Sequence, residues 1–131
     1  MNSGTMWRCL DGTVMGTEGN GCCPLNCTHV YGYTTLMERL FPDLAKDMRH
    51  SDFVRNYANG TETGGCTMRF GSGGWAIDGA LACIIKTYLV VRQSDSALTF
   101  LPTVWPNVKD QLARIRANFD KVGDGAVRGA Q

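Results

Sequence analysis

The densest set of residues able to do chemistry runs from Gly16 to Tyr31: Gly-Thr-Glu-Gly-Asn-Gly-Cys-Cys-Pro-Leu-Asn-Cys-Thr-His-Val-Tyr. A carboxylate, Glu18, stands between small residues and is followed by a Cys-Cys-Pro turn and a His beside Thr28. Glycine lets a substrate approach the backbone closely, so this string suits a polar pocket. It also suits a solvated surface loop. Cys22 or Cys23 with Cys27, His29 and Cys66 could supply four soft ligands for zinc, but the cysteine pair is vicinal and no second Cys-x-x-Cys knuckle exists. Buried structural thiols are the commoner outcome, and no metal or cofactor is expected.

Other strings are weaker. Asp120 to Gly125 has the acids and glycine of the start of a calcium loop, but position three is Val122 and no Glu stands at position twelve, so an EF-hand site fails. Gly71-Ser72-Gly73-Gly74 lacks the Lys-Ser/Thr of a phosphate loop. Cys-His catalysis with His29 or His50 finds no thiol singled out for activation. His50 sits among Arg49, Ser51 and Asp52, which reads as a solvated or capping residue at a helix end.

The elements that position these residues follow from glycine and hydrophobic spacing. Residues 1–32 are broken by six glycines and read as loop or short strand. From Tyr33 to Tyr57 glycine disappears, and Leu36, Leu40, Leu44 and Met48 share one helical face. Pro42 predicts two helical pieces, the second starting near it. Asn59 to Gly74 is a second glycine-rich loop. Helix is expected from about Ile77 to Gln93, with Leu81, Ile84, Ile85 and Tyr88 as its apolar template and Asp78 in the first turn, where a carboxylate favours the helix dipole. Ser94-Asp95-Ser96 breaks it, and a short segment capped by Asp95 or Ser96 runs to Leu101 before Pro102. A last helix begins near Trp105-Pro106, with Val108, Leu112, Ile115 and Phe119 as its buried stripe. Asp120 to Gly129 is a glycine-punctuated turn. The fold class is all-α, three to four amphipathic helices with long glycine-rich loops.

Composition bounds the function. The chain has 131 residues, with 13 Lys+Arg against 12 Asp+Glu. That near balance argues against nucleic-acid binding through bulk charge. The longest apolar run, Leu81 to Val91, is interrupted by Lys86 and falls short of the roughly 18 residues of a membrane span. No secretory signal is visible in Met1 to Leu10, so the six cysteines read as reduced thiols in a cytoplasmic setting, and the sequons at Asn26 and Asn59 as coincidence.

Three blocks occur in order: Thr17-Glu18-Gly19 through Cys22-Cys23 to Cys27-Thr28-His29-Val30; Gly74-Trp75-Ala76-Ile77-Asp78-Gly79; and Trp105-Pro106-Asn107-Val108-Lys109 leading to Phe119-Asp120 and Asp124-Gly125. Together they resemble the catalytic region of glycoside hydrolase family 116, the non-lysosomal glucosylceramidase and β-glucosidase group, over nearly the whole chain. The resemblance implies an (α/α)6 barrel and a retaining mechanism on β-glucosides, including glycolipid-type substrates in some members. It places the nucleophile at Glu18 and puts Thr28, His29, Trp75 and Asp78 along the substrate cavity; His29 stands where other branches carry a sugar-contacting Asp. The family's acid/base is the Asp of a Thr-Tyr-Asp motif just after a segment like Val127 to Gln131, and no residue of this chain matches it. The expectation is a partial catalytic domain, residues 1–32 forming the active-site loops and 33–131 helical hairpins, inactive alone and completed by the remainder of the domain. The alternative is a stand-alone helical carbohydrate-binding or interaction module without catalysis; a zinc-bound helical module is a third.

Overall fold

The computed structural model describes residues 6–16, 36–55, 57, 66, 76–93 and 97–128. Among these the chain is mostly helical. A small antiparallel hairpin opens it, β1 (Met6–Arg8) paired with β2 (Val14–Gly16) in the register Trp7 opposite Met15. Its turn is closed by Cys9 N–H donating to the Thr13 carbonyl at 2.8 Å and by the Asp11 carboxylate accepting from the Thr13 amide at 2.9 Å. Gly12 has a φ of 84°, the left-handed conformation that favours glycine; a Cβ there would stand 3.1 Å from the Arg55 guanidinium, which is the mobile end of an exposed side chain and can shift aside.

The helices follow as α1 (Leu36–Leu40), α2 (Pro42–His50), α3 (Ile77–Gln93) and α4 (Ala97–Phe119). As the sequence predicts, the chain breaks at Phe41, whose φ of −138° and ψ of 63° are not helical, and Pro42 starts α2 where its missing N–H costs nothing. The expected helix end at His50 is not one. The chain continues as a π-helical turn, Ser51–Arg55, in which Ser51, Asp52 and Phe53 are buried. Ser51 explains the continuation: its hydroxyl donates to the Asp47 carbonyl at 2.8 Å and accepts from the Val14 amide at 3.0 Å, locking the turn to β2. Arg8 pairs with Asp47 alongside.

The main core gathers Ala45, Phe53, Tyr57, Cys66, Cys83, Val90, Phe100, Val104 and Val108 from every described helical segment except α1. Phe53 is wholly buried, a contribution of about 1.5–3 kcal/mol for a side chain of that size. A second cluster joins Val14 of β2 to Met48 of α2, with Met37 and Leu44 against it.

Three helical expectations are corrected. Leu36 and Leu40 are exposed, because the break at Phe41 takes α1 out of register with α2; α1 buries Glu38 instead. On α3, Ile85 and Tyr88 are exposed, and the inward face is Ala80, Cys83, Lys86, Thr87 and Val90, mostly small side chains that let neighbouring helices come close. Finally, α4 is one helix from Ala97 through both prolines rather than two segments split at Pro102. Pro102 and Pro106 are four residues apart on the exposed side, so the carbonyls they leave without an N–H partner face water. Meanwhile Phe100, Val104, Val108, Gln111 and Ile115 bury a continuous inner face across them, and Leu112, expected inside, is exposed.

Candidate functional site

Of the residues singled out from the sequence, the described structure contains Asp78; Glu18, Thr28, His29 and Trp75 lie outside the described residues, as do Cys22, Cys23 and Cys27. Asp78 is exposed in the first turn of α3, and its Oδ1 accepts the Gly79 amide at 2.7 Å. This is the helix-end role its position predicts. The Asp120 turn is as expected: Asp120 Oδ1 accepts the amides of Gly123 and Asp124 at 2.9 and 3.1 Å, and Oδ2 accepts that of Gly125 at 3.1 Å. Gly123 and Gly125 both have positive φ, and Arg128 N–H donates back to the Phe119 carbonyl at 2.8 Å, closing the end of α4. A carboxylate so occupied shapes a turn. Among the described residues no group of three or more His, Cys, Asp or Glu is placed to hold a metal ion.

The chemistry-bearing cluster that the structure does assemble lies inside. Lys86 of α3 reaches Glu38 of α1 at 3.2 Å, both side chains 3% exposed. Arg49 of α2 pairs with Asp52 of the π-turn at 2.8 Å, both nearly inaccessible. Two thiols adjoin them. Cys66 Sγ donates to the Asp52 carbonyl at 3.6 Å, its backbone amide donates to Gln111 Oε1 at 3.0 Å, and its side chain meets that of Cys83. Two cations and two carboxylates balance in charge, which is the condition for removing them from water.

Burial dominates the electrostatics of this cluster. It pushes the Asp52 carboxyl up, against the opposing pull of Arg49 and the Cys83 thiol. It lowers the Lys86 ammonium, which Glu38 partly restores. It drives the Cys66 thiol well above its ordinary value, with Cys83 adding to the effect. A thiol held protonated and closed off from solvent is a poor nucleophile, so this cluster organises helices rather than attacking a substrate. Sequence reasoning missed it, although one signal was present: Lys86 interrupts an apolar run, and a lysine on a buried helical face requires a carboxylate from another element.

Open clefts lie elsewhere. One of about 340 Å³ is lined by Lys46, Asp47, His50, Thr99, Phe100 and Thr103, between α2 and the start of α4. His50, expected to be solvated, is half-buried there, and burial lowers its pKa, Arg55 adding to the shift. A second, about 390 Å³, lies beside the Asp120 turn among Asn118, Phe119, Lys121, Val122 and Arg128. Elsewhere, Tyr57 donates to Asp110 Oδ2 at 2.6 Å and Arg114 donates to the same atom at 2.7 Å. No described helix is long and apolar enough to cross a membrane. Comparison with protein-family models, with curated proteins and with solved structures returns no match.

Proposed function

We propose that the chain contributes the nucleophile of a retaining glycoside hydrolase acting on β-glucosides, with Glu18 as the attacking carboxylate. The observation that carries this reading is the order of the three sequence blocks, from Thr17-Glu18-Gly19 to Asp124-Gly125. Two described features agree with it. Consecutive helices α3 and α4 pack together, the unit from which a barrel of helical hairpins is built. Asp78 also presents its carboxylate to solvent at the first turn of α3, where a sugar hydroxyl could reach it.

In this reading Glu18 attacks the anomeric carbon as the aglycone oxygen leaves with a proton from a carboxylic acid about 5–5.5 Å away, and water then releases the sugar from Glu18. Thr28, His29, Trp75 and Asp78 contact the sugar. The acid is not assigned to any residue of this chain.

The test uses a substrate that needs no acid. A 2-deoxy-2-fluoro-β-glucoside with a dinitrophenolate leaving group forms the glycosyl-enzyme without protonation, and its fluorine slows hydrolysis enough for the adduct to accumulate. Peptide mass spectrometry should find one fluoroglucosyl unit on Glu18, and none in Glu18→Gln. An adduct that survives that substitution overturns the assignment. Glucoside binding with no adduct favours the non-catalytic carbohydrate-binding module instead.

A further inference from the structure

We propose that Cys66 and Cys83 form a reversible disulfide, which ties residue 66 to α3 under oxidising conditions and frees it under reducing ones. The inference stands apart from the glycosidase reading and uses none of its residues.

Cys66 is fixed from three sides. Its amide donates to Gln111 Oε1 of α4 at 3.0 Å, its Sγ donates to the Asp52 carbonyl of the π-turn at 3.6 Å, and its third neighbour is the Cys83 thiol of α3. Cys83 in turn bonds the Asp52 carboxylate, so both sulfurs meet at one residue. The backbone and the sulfur of Cys66 are both held, and Cys83 stands in the interior of a helix of 17 residues. The second sulfur therefore needs no search to find the first. Two reacting groups held together in this way have the advantage of an intramolecular reaction, and a small thiol in solution competes poorly with it.

The oxidant is a small-molecule disulfide of the glutathione class. Cys66 is 1% exposed and Cys83 wholly buried, so exchange waits on local opening of the packing. One thiol then loses its proton to solvent and its thiolate attacks a sulfur of the oxidant. The oxidant's S–S bond breaks, leaving a mixed disulfide and one small thiolate. The other cysteine, deprotonated in turn, attacks the protein sulfur of the mixed disulfide, forms the 66–83 bond and expels the second small thiolate. Two protein thiols are oxidised, one small disulfide is reduced to two thiols, and the two protons end on them. When the core closes again it excludes reductant as it excluded oxidant, so the bond persists once made.

For the folded chain the exchange is favourable. The bond closes a loop from Cys66 to Cys83 and removes that freedom from the unfolded chain. It withdraws two S–H donors from Asp52, a small loss because a thiol is a weak donor.

The test equilibrates the full chain with reduced and oxidised glutathione, in native buffer and in urea, alkylates the free thiols and maps tryptic peptides without reduction. Cleavage after Arg55, Arg69 and Lys86 leaves Cys66 alone in 56–69 and Cys83 alone in 70–86. The expected product is these two peptides joined, two hydrogens lighter than the pair, and at least about tenfold more abundant against its reduced form in native buffer than in urea. The melting temperature should rise by about 10 °C, in step with the linked fraction as the glutathione ratio is varied. Alkyl groups or glutathione on both cysteines overturn the proposal, as does linkage of either to Cys9, Cys22, Cys23 or Cys27 instead. A yield no higher than in urea, or a melting temperature that does not follow the linked fraction, overturns it equally.

Discussion

The inner face of α3 and the outer face of α4 reverse the usual distribution of polarity. Lys86 is buried beside Cys83 and Thr87, while Trp105 and Leu112 stand in solvent one helix away. The two faces obey different constraints. A buried lysine is tolerable only because Glu38 is brought to it from 48 residues earlier, with Arg49 and Asp52 close by. An exposed leucine needs no partner within the fold at all. The first is a specific demand on tertiary structure; the second leaves the folded monomer almost indifferent. Substitutions should therefore have large and coupled effects inside and small, independent ones outside.

The largest effect is expected from Lys86→Met. It leaves the Glu38 carboxylate buried without its cation and should cost about 3–5 kcal/mol in urea denaturation. Adding Glu38→Leu should recover most of that loss, because an apolar pair of similar volume replaces an ion pair with little net change. Two single losses that simply add would show that the groups are not coupled.

Gln111→Leu comes next. Gln111 is fully buried and its Oε1 accepts the Cys66 amide, so removing it orphans that donor at about 1–3 kcal/mol, partly offset by losing a buried Nε2 that has no partner among the described residues.

Tyr57→Phe should cost about 1–2 kcal/mol and carries a pH signature. The Tyr57 hydroxyl, and then Arg114, hold the Asp110 carboxyl below its ordinary value of 3.8. A depressed carboxylate contributes stability that is complete above the unfolded value and is lost as pH falls through the folded one. The melting temperature of the unsubstituted chain should thus drop below pH 4, and Tyr57→Phe should flatten that part of the drop.

At the small end, Leu98→Glu should leave monomer stability within about 0.5 kcal/mol, and Asp124→Ala, which removes an exposed pair with Arg128, should leave the melting temperature unchanged. A loss at Leu98 comparable with that at Lys86 would erase the contrast between the two faces.

These contrasts also explain what the sequence made legible. The limits of α3 and the break before Pro42 could be read because local chemistry sets them: Asp78 in the first turn, Ser94-Asp95-Ser96 after the last, and a ring that cannot continue a helix inward. Which side of α3 faces the core could not, since hydrophobicity favours Ile85 and Tyr88, whereas close packing favours Ala80, Cys83 and Thr87. Pro102 failed as a boundary for a related reason. A proline disrupts a helix by removing one bond and crowding one carbonyl, and on an exposed face both penalties are relieved by water while Phe100, Val104 and Val108 hold the inner side. The Lys86–Glu38 pair was half legible: a lysine in an apolar run calls for a buried counter-charge, but nothing local says that Glu38, 48 residues earlier, supplies it. Of the candidate site, Asp78 was placed correctly at its helix end, while the carboxylate that the sequence marks for chemistry, Glu18, lies outside the described residues.

The four buried charges also bear on how the chain responds to heat. Ion hydration carries a strongly negative entropy, so withdrawing Lys86, Glu38, Arg49 and Asp52 from water becomes less unfavourable as temperature rises, whereas the gain from apolar burial levels off. A chain with an ionic centre and its Lys86→Met, Glu38→Leu counterpart therefore follow stability curves of different curvature. Whatever advantage the apolar pair holds in the cold should shrink toward the melting point, making the ionic centre the more heat-tolerant way to join α1 to α3.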